Sequence, residues 1–403
     1  MTRPTQAPAL RRVRGAVFAL FASFGLVLST WAVHLPALKQ SVGMSNAMMG
    51  TVLLTLGIGS LLGMQLSGAA VDRVGGERVA TVAGAVLAAS ITLPLVATTL
   101  VQAIVGAFVL GVAAGCADVG MNAVAVSAER DYGRPINASF HAMFSIGTVV
   151  GSLLGAAGFA LRLGTLATTA TIAMICLVIV GGAFWGLRNR RNHTPEGHKE
   201  PSTPMPLAAA RDRRRVLLLG ILAFLLFLSE GSAMDWSSLH AQQHFGVPSS
   251  LAALAVGSFV VAMTVSRFLV DRMAAVIGPV WVLRGGAVLA MVGLLTVIGA
   301  PNLPVALVGW AVFGIGLAGG LPQVFTAAGN LGGTTSGRTM SRVVGVGYVA
   351  ILGGPALIGW MVELVSWTGA FLVPLCAMLV CTLAAPVVAR NTVPGRNWPT
   401  VRL

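Results

Sequence analysis

The chain has 403 residues, of which 56% are hydrophobic and only 9% are charged, and its mean hydropathy is +0.86. Ordinary soluble domains carry about 25% charged residues, so this composition excludes a water-soluble globular fold and predicts a membrane protein. The net charge of +14 does not indicate nucleic-acid binding, because the basic residues stand in short loops beside apolar runs.

Apolar runs long enough to cross a bilayer follow one another along the whole chain. Crossing a hydrocarbon core about 30 Å thick takes about 20 apolar residues, and lipid offers the backbone no hydrogen-bond partner, so each run must be helical. The predicted spans are 15–37, 46–70, 79–99, 101–125, 138–160, 166–187, 216–236, 249–270, 278–299, 303–326, 341–362 and 367–389. The predicted fold class is therefore an all-α membrane protein with twelve transmembrane helices.

The distribution of basic residues orients these spans. Of the 26 Lys and Arg residues, only Lys39 and Arg162 fall in predicted outer loops. Because cytoplasmic loops are enriched in Lys and Arg, both termini are predicted to be cytoplasmic. The basic start precedes an apolar run that is too long for a signal peptide and has no small-residue cleavage site, so we expect an uncleaved first span.

A polar stretch divides the chain into similar halves. The Pro-rich and charged segment 188–215 predicts a cytoplasmic linker between six-helix bundles at 1–187 and 216–403. GSLLGMQLSGAAVDRVGG (59–76) reappears loosely as GSFVVAMTVSRFLVDRMAA (257–275), both with Val-Asp-Arg at the end of an apolar helix. Transporters commonly place the solute near the midplane between such repeats.

The segment between the second and third spans carries Gly68, Asp72, Arg73, Gly75 and Arg78. This pattern resembles the most widespread signature of the major facilitator superfamily (MFS), and the span number, the linker and the half-repeat extend the resemblance over nearly the whole chain. A narrower similarity is to the fucose-permease-like branch, in particular bacterial YbjJ-type permeases. It is carried by GCADVGMNAVAVSAER (115–130), SFHAMFSIGTVVGSLLG (139–155), SEGSAMDWSSL (229–239) and GYVAILGGPALIGW (347–360).

The resemblance implies the MFS fold and secondary transport across a bacterial plasma (inner) membrane. It also implies a gating role for Asp72 and Arg73, with Asp271 and Arg272 as their counterparts in the second half. A carboxylate here can cap a neighbouring helix N-terminus or pair with a base, and so latch the halves together. The alternative is a charged turn that only sets topology. Glu129, Arg130 and Arg134 follow the fourth span on the same side and are expected partners.

Ionisable groups inside spans are costly, and they indicate function by default. Four are candidates for proton coupling: Asp118, Glu230, Asp235 and His141. Asp118 lies in the fourth span, with Asn122 one turn further on the same face. Glu230 and Asp235 are five residues apart in the seventh span and point to different faces, so only one is expected to face the solute path. The alternative for each is a neutralised packing residue.

Polar and aromatic residues within spans are candidates for solute binding. Trp31 and His34 share a face of the first span and can form a sugar-stacking pair or an interfacial anchor. The other candidates are Asn122, Gln65, Gln323, Tyr348 and Trp236. Interhelical hydrogen bonding is the common alternative use of such groups.

Several function classes lack their motifs. No P-loop, nucleophile–base pair, metal spacing or cofactor fingerprint is present in the sequence, so we expect no enzyme, no metal and no cofactor. The expected partners are a small solute, protons and the lipid bilayer, without nucleic acid, and the expected state is a monomer. The leading hypothesis is a proton-coupled transporter of a small polar solute such as a sugar. Drug or metabolite efflux is an alternative, weakened because Ala107 replaces the arginine typical of drug antiporters. A non-transporting sensory or lipid-handling protein is a third.

Overall fold

The computed structural model describes residues 7–44, 46–188, 206–331 and 336–389, and all regular structure in these ranges is helical. The helices of the first half are α1 (Ala7–Val42), α2 (Asn46–Val74), α3 (Gly76–Ser90), α4 (Thr92–Leu95), α5 (Leu100–Tyr132), α6 (Asn137–Ala160) and α7 (Thr165–Arg188). Those of the second half are α8 (Pro206–Phe245), α9 (Ser249–Ile277), α10 (Pro279–Ile298), α11 (Leu303–Leu317), α12 (Gly320–Leu331), α13 (Ser336–Leu364) and α14 (Trp367–Ala384), which a 3₁₀ turn (Ala385–Val388) follows. The predicted all-α fold class is confirmed.

The predicted spans correspond to these helices. In the described ranges, 11 helical segments are long and apolar enough to cross a membrane. The remaining predicted span, 341–362, lies within α13. Two spans each consist of two helices, α3 with α4 and α11 with α12. Several helices extend beyond the apolar runs that predicted them. A membrane-spanning helix continues into the headgroup region, where the sequence is more polar, and α5 for example continues to Tyr132.

One buried apolar cluster lies within the first half, a second joins the second half to first-half residues such as Met64, Val71 and Val119, and the outer surface is apolar. Large apolar side chains that are more than 60% exposed occur on both halves, as expected where lipid replaces water. They include Leu66, Val101, Leu153, Val178, Val261 and Leu383. The predicted linker 188–215 lies largely outside the described residues, and α8 begins within it at Pro206.

Glycines let helices within a half approach closely. A Cβ atom on Gly147 of α6 would lie 2.0 Å from the Ala22 carbonyl oxygen of α1, and one on Gly63 of α2 would lie 2.2 Å from the Val112 carbonyl oxygen of α5. The halves meet chiefly where α2 packs against α13 and where α6 packs against α9. In the six-span repeat, the second and fifth spans correspond to the eighth and eleventh, so these two contacts are equivalent.

Candidate functional site

Polar side chains from five transmembrane helices meet where the two halves face each other. We call this set the central network: Asp118, Asn122, His141, Ser145, Glu230, Arg267 and Tyr348. The first four come from α5 and α6 of the first half, and the last three come from α8, α9 and α13 of the second half. Five of them are at most 9% exposed, which makes an ionic or hydrogen-bond partner necessary for their charged and polar atoms.

Asp118 lies near the middle of α5 and is bound from both halves. The Asn122 side-chain amide donates to Asp118 Oδ1 at 3.0 Å and to the Asp118 carbonyl oxygen at 2.9 Å. The Tyr348 hydroxyl of α13 also interacts with this carboxylate. The predicted neighbours Asp118 and Asn122 are therefore joined by Tyr348, which the sequence singled out separately, and the Asp118–Tyr348 contact crosses between the halves.

Arg267 of α9 forms the second polar contact between the halves. Its guanidinium donates to Glu230 Oε1 at 3.3 Å within the second half and to Ser145 Oγ at 2.9 Å in the first half. The Arg267 side chain is only 4% exposed, so removing Glu230 would leave a buried unpaired charge, which typically costs about 3–5 kcal/mol. Glu230 is thus held by an ion pair rather than isolated in its span.

Arg267 lies at a place that the sequence did not predict. The topology count places it among the cytoplasmic basic residues, whereas the structure buries it between the halves. Its position inside the predicted span 249–270 was the available signal, since an arginine within a span calls for the same scrutiny as Asp118. Ser145 carried no signal of its own, because a serine in an apolar helix is ordinary.

His141 contributes aromatic contacts to the central network, and two glutamine candidates lie on other helices. The His141 ring centre is 5.1 Å from that of Phe21 in α1 and 5.8 Å from that of Phe325 in α12, so this side chain also touches both halves. Its Nε2 atom is buried and has no hydrogen-bond partner among the described residues. Gln323 is buried on α12, and the Gln65 amide of α2 lies against Gly345 of α13.

Four candidates lie away from the central network. Trp31 is buried in the core of the first half, and His34 hydrogen-bonds to the Thr30 carbonyl oxygen at 2.8 Å. In the second half, Trp236 packs against Trp367 with ring centres 6.2 Å apart, and Asp235 is exposed. These surroundings favour structural roles, because none of the four side chains joins the contacts between the halves described above.

Asp271 of α9 caps the N-terminus of α6 in the opposite half. Its two carboxylate oxygens accept from the backbone N–H groups of Ala138 at 2.8 Å and Ser139 at 2.9 Å. Glu129 accepts from the two preceding N–H groups, those of Ile136 and Asn137, both at 2.9 Å. Two carboxylates thus satisfy four consecutive donors at this helix start, where the helix dipole also favours negative charge.

Asp72 of α2 makes the equivalent contact with α13. Its carboxylate accepts from the N–H groups of Gly337 at 2.8 Å and Arg338 at 3.3 Å, and the Arg338 side chain lies 3.8 Å away. The partners of Asp72 are therefore on α13. Glu129, which was expected to be a partner of the Asp72–Arg73 segment, caps α6 instead. Arg73, Arg78 and Arg272 are exposed at this end of the molecule.

Gly68 and Gly75 of the same segment are each required to be glycine, for different structural reasons. A Cβ atom on Gly68 would lie 2.6 Å from Ser341 Oγ and 3.1 Å from the Gly337 carbonyl oxygen, so only glycine allows α2 this close to α13. Gly75 has φ +88° at the start of α3, a left-handed conformation that favours glycine. The first glycine serves the contact between the halves, and the second serves the turn.

The fold and these contacts can be compared with known proteins. A family model for the Major Facilitator Superfamily matches residues 16–246 and 219–402. The chain belongs to the major facilitator superfamily. An uncharacterized MFS-type transporter of Yersinia pestis is 34% identical over 361 residues, which cover 90% of this chain and 91% of that protein.

Solved structures of the superfamily agree with the fold. A single-residue variant of the E. coli fucose:proton symporter FucP superposes with a TM-score of 0.72 at 14% identity, covering 93% of this chain and 98% of that one. The proton:xylose symporter XylE bound to 6-bromo-6-deoxy-D-glucose gives 0.71 at 13% identity, covering 94% and 95%. At these identities the similarity shows the MFS fold alone.

The superfamily signature segment gives a first testable prediction. We expect Gly68→Ala to weaken the α2–α13 contact, because the added methyl group must displace Ser341 or the Gly337 backbone. The apparent Tm of the purified protein should fall by several degrees. Gly50→Ala in the same helix is the matched control, since a Cβ atom there meets no heavy atom within 4 Å. Equal melting of the two variants would show that the close approach at Gly68 contributes nothing.

Proposed function

We propose that this MFS protein is a secondary active transporter of a small polar solute, such as a sugar, that works by alternating access with coupling to protons. The observation that carries the proposal is the central network, because both halves supply its charged and polar groups. A solute bound there would contact both halves at once. Its binding free energy would therefore shift the equilibrium between conformations that differ in the relative position of the halves.

We assign the contacts of Asp72 and Asp271 to closure of the cytoplasmic side. Each carboxylate belongs to one half and caps a helix of the other, so opening that side must break both contacts. Hydrogen bonds to a charged group contribute about 1.5–3 kcal/mol each, which is in the range by which a solute can shift two conformations. Symmetric latches of this strength would make the closed side stable but reversible.

Asp118 is proposed as the proton-coupling residue. Asn122 donates to its carboxylate, and Tyr348 of the opposite half faces it while the halves are together. Separating the halves would withdraw Tyr348 and admit water to Asp118, which changes the relative free energies of its ionised and protonated forms. Protonation and the position of the halves would therefore be linked at Asp118. Glu230 is a secondary candidate, because Arg267 already engages it in an ion pair.

The proposed solute class draws on the fold neighbours and on the chemistry of the central network. FucP and XylE are named as proton symporters of fucose and xylose, and they share the fold of this chain at 14% and 13% identity. The mixture of carboxylate, amide, hydroxyl and guanidinium groups in the central network suits a solute with several hydroxyl groups. We place the protein in a bacterial inner membrane, as a monomer with both termini in the cytoplasm.

Reconstitution tests the proposed function. Purified protein in proteoliposomes should accumulate at least one radiolabelled sugar from a panel of hexoses, pentoses and polyols when an inward proton gradient is imposed. A protonophore should abolish accumulation but leave solute exchange intact, because exchange needs no driving force. If no solute exchanges in either direction across a broad panel that also contains drugs and organic acids, the transport proposal is contradicted.

A further inference from the structure

A basic pocket opens at the predicted cytoplasmic end of the first half, away from the central network. It has a volume of about 630 Å³ and lies between the start of α1 and the end of α5. Its lining residues are Leu10, Arg11, Arg14, Gly15, Phe18, Tyr132 and Arg134. No carboxylate is among these lining residues, so the pocket gathers three positive charges without an acidic group in its wall.

The cations of this basic pocket are held on aromatic rings. The Arg14 guanidinium carbon lies 5.0 Å from the centre of the Phe18 ring and 5.9 Å from that of Tyr132. The Arg134 guanidinium carbon lies 5.7 Å from the same Tyr132 ring. Two like charges therefore flank one ring, and their repulsion would be relieved by an anion bound between them.

Arg14 also has an unused donor. One of its terminal nitrogens lies 3.5 Å from Ser139 Oγ at the start of α6, whereas its Nε atom is buried without a hydrogen-bond partner in the part of the chain that the structure describes. The Asp271 carboxylate acts on Arg14 electrostatically, but its oxygens accept from the first N–H groups of α6. Buried donors are normally satisfied, so an orphaned guanidinium donor beside a pocket points to a missing acceptor. Guanidinium groups bind phosphate oxygens with two parallel hydrogen bonds, so a pocket lined by arginines suits a phosphate acceptor.

We propose that the basic pocket binds a phosphate group, supplied by the headgroup of an anionic lipid or by a soluble phosphate. The volume falls in the usual range for small-ligand sites, which is about 300–1,000 Å³. Leu10 and Phe18 add an apolar wall beside the charges, as a lipid ligand requires. Gly15 leaves the pocket open, since a Cβ atom there would meet nothing within 4 Å.

Thermal shift on the full-length protein in detergent tests this site without any transport substrate. The probes are dihexanoyl phosphatidylglycerol, dihexanoyl phosphatidylcholine and inorganic phosphate at equal concentration. We expect phosphatidylglycerol to raise the apparent Tm by about 2–6 °C, because a ligand bound only to the folded state stabilises it, and phosphatidylcholine to give little change. An equal shift with inorganic phosphate would assign the site to soluble phosphate instead of lipid.

Matched variants separate the basic pocket from general effects. Gly15→Leu should fill the pocket and abolish the shift, and Arg14→Gln with Arg134→Gln should abolish it by removing charge. Gly182→Leu is the steric control, because it is an exposed helical glycine with nothing within 4 Å of its Cβ position. Arg188→Gln is the charge control, because Arg188 also lies over an aromatic ring, 5.9 Å from the Trp185 ring centre, outside the pocket. Retention of the full shift in Gly15→Leu, or equal shifts with both lipids, would overturn the proposal.

Discussion

Asp118→Asn is expected to abolish proton-driven solute accumulation in proteoliposomes while solute exchange persists. The amide has nearly the shape of the carboxylate, and its oxygen can still accept from Asn122 or Tyr348, so the packing of α5 should survive. It cannot, however, take up and release a proton in the working pH range. Accumulation should fall to the level of protein-free liposomes, and the residual exchange should no longer respond to an imposed pH gradient.

Asp235→Asn is the matched control for this experiment. It makes the same chemical change in a transmembrane helix, but Asp235 is exposed and lies outside the central network. We expect its accumulation to stay close to that of the unmodified protein. The proposed coupling role would be refuted by the reverse pattern, in which Asp118→Asn accumulates solute normally and Asp235→Asn does not.

Asp271→Asn is expected to shift the protein away from the state in which the cytoplasmic side is closed. The substitution removes a buried negative charge and one of the two acceptors that bind the Ala138 and Ser139 N–H groups. Losing a charged helix cap typically costs about 0.5–2 kcal/mol, which corresponds to a change of roughly 2- to 30-fold in the ratio of the two states. Asp72→Asn should act in the same direction but less, because one of its two hydrogen bonds is 3.3 Å long.

Electron–electron distance measurements between two spin labels would read this shift. Cysteines introduced at Leu163 and Gln243 place labels on exposed residues near the predicted outer ends of the two halves, after the four native cysteines have been replaced. When the cytoplasmic contacts weaken, the population with the outer ends close together should increase. Distance distributions that are the same in Asp271→Asn, Asp72→Asn and the parent would contradict the latch. Circular dichroism of each variant confirms that it remains folded.

Much of the fold could be predicted from the sequence, for one physical reason. Lipid requires each crossing segment to satisfy its own backbone hydrogen bonds, so the length of an apolar run nearly determines both helix and span. The twelve predicted spans followed directly, and the signature from Gly68 to Arg78 came from its resemblance to the superfamily pattern. Asp118 was found by the same reasoning, since a carboxylate inside a span is costly and therefore conspicuous.

The partners of the ionisable residues were much harder to predict from the sequence. Glu129 lies close to the Asp72 segment in predicted topology, yet it caps α6 beside Asp271. Arg267 stands three residues from the end of its predicted span, where an arginine is usually cytoplasmic, yet it is buried against Glu230 and Ser145. Apolar patterning fixes how far a residue lies along its helix but leaves the rotation of the helix open, and rotation decides which neighbour a side chain meets.

The sequence by itself determined the membrane class, the predicted orientation, the two-half organisation and the family resemblance, because each depends on composition and order along the chain. Only the tertiary structure decided that Asp118 meets Tyr348, that Arg267 joins Glu230 to Ser145, and that the two Val-Asp-Arg segments cap helices of opposite halves. All three are contacts between residues far apart in the chain. They depend on how two six-helix bundles pack against each other, and that packing is specified by the shapes of many side chains together rather than by any local pattern.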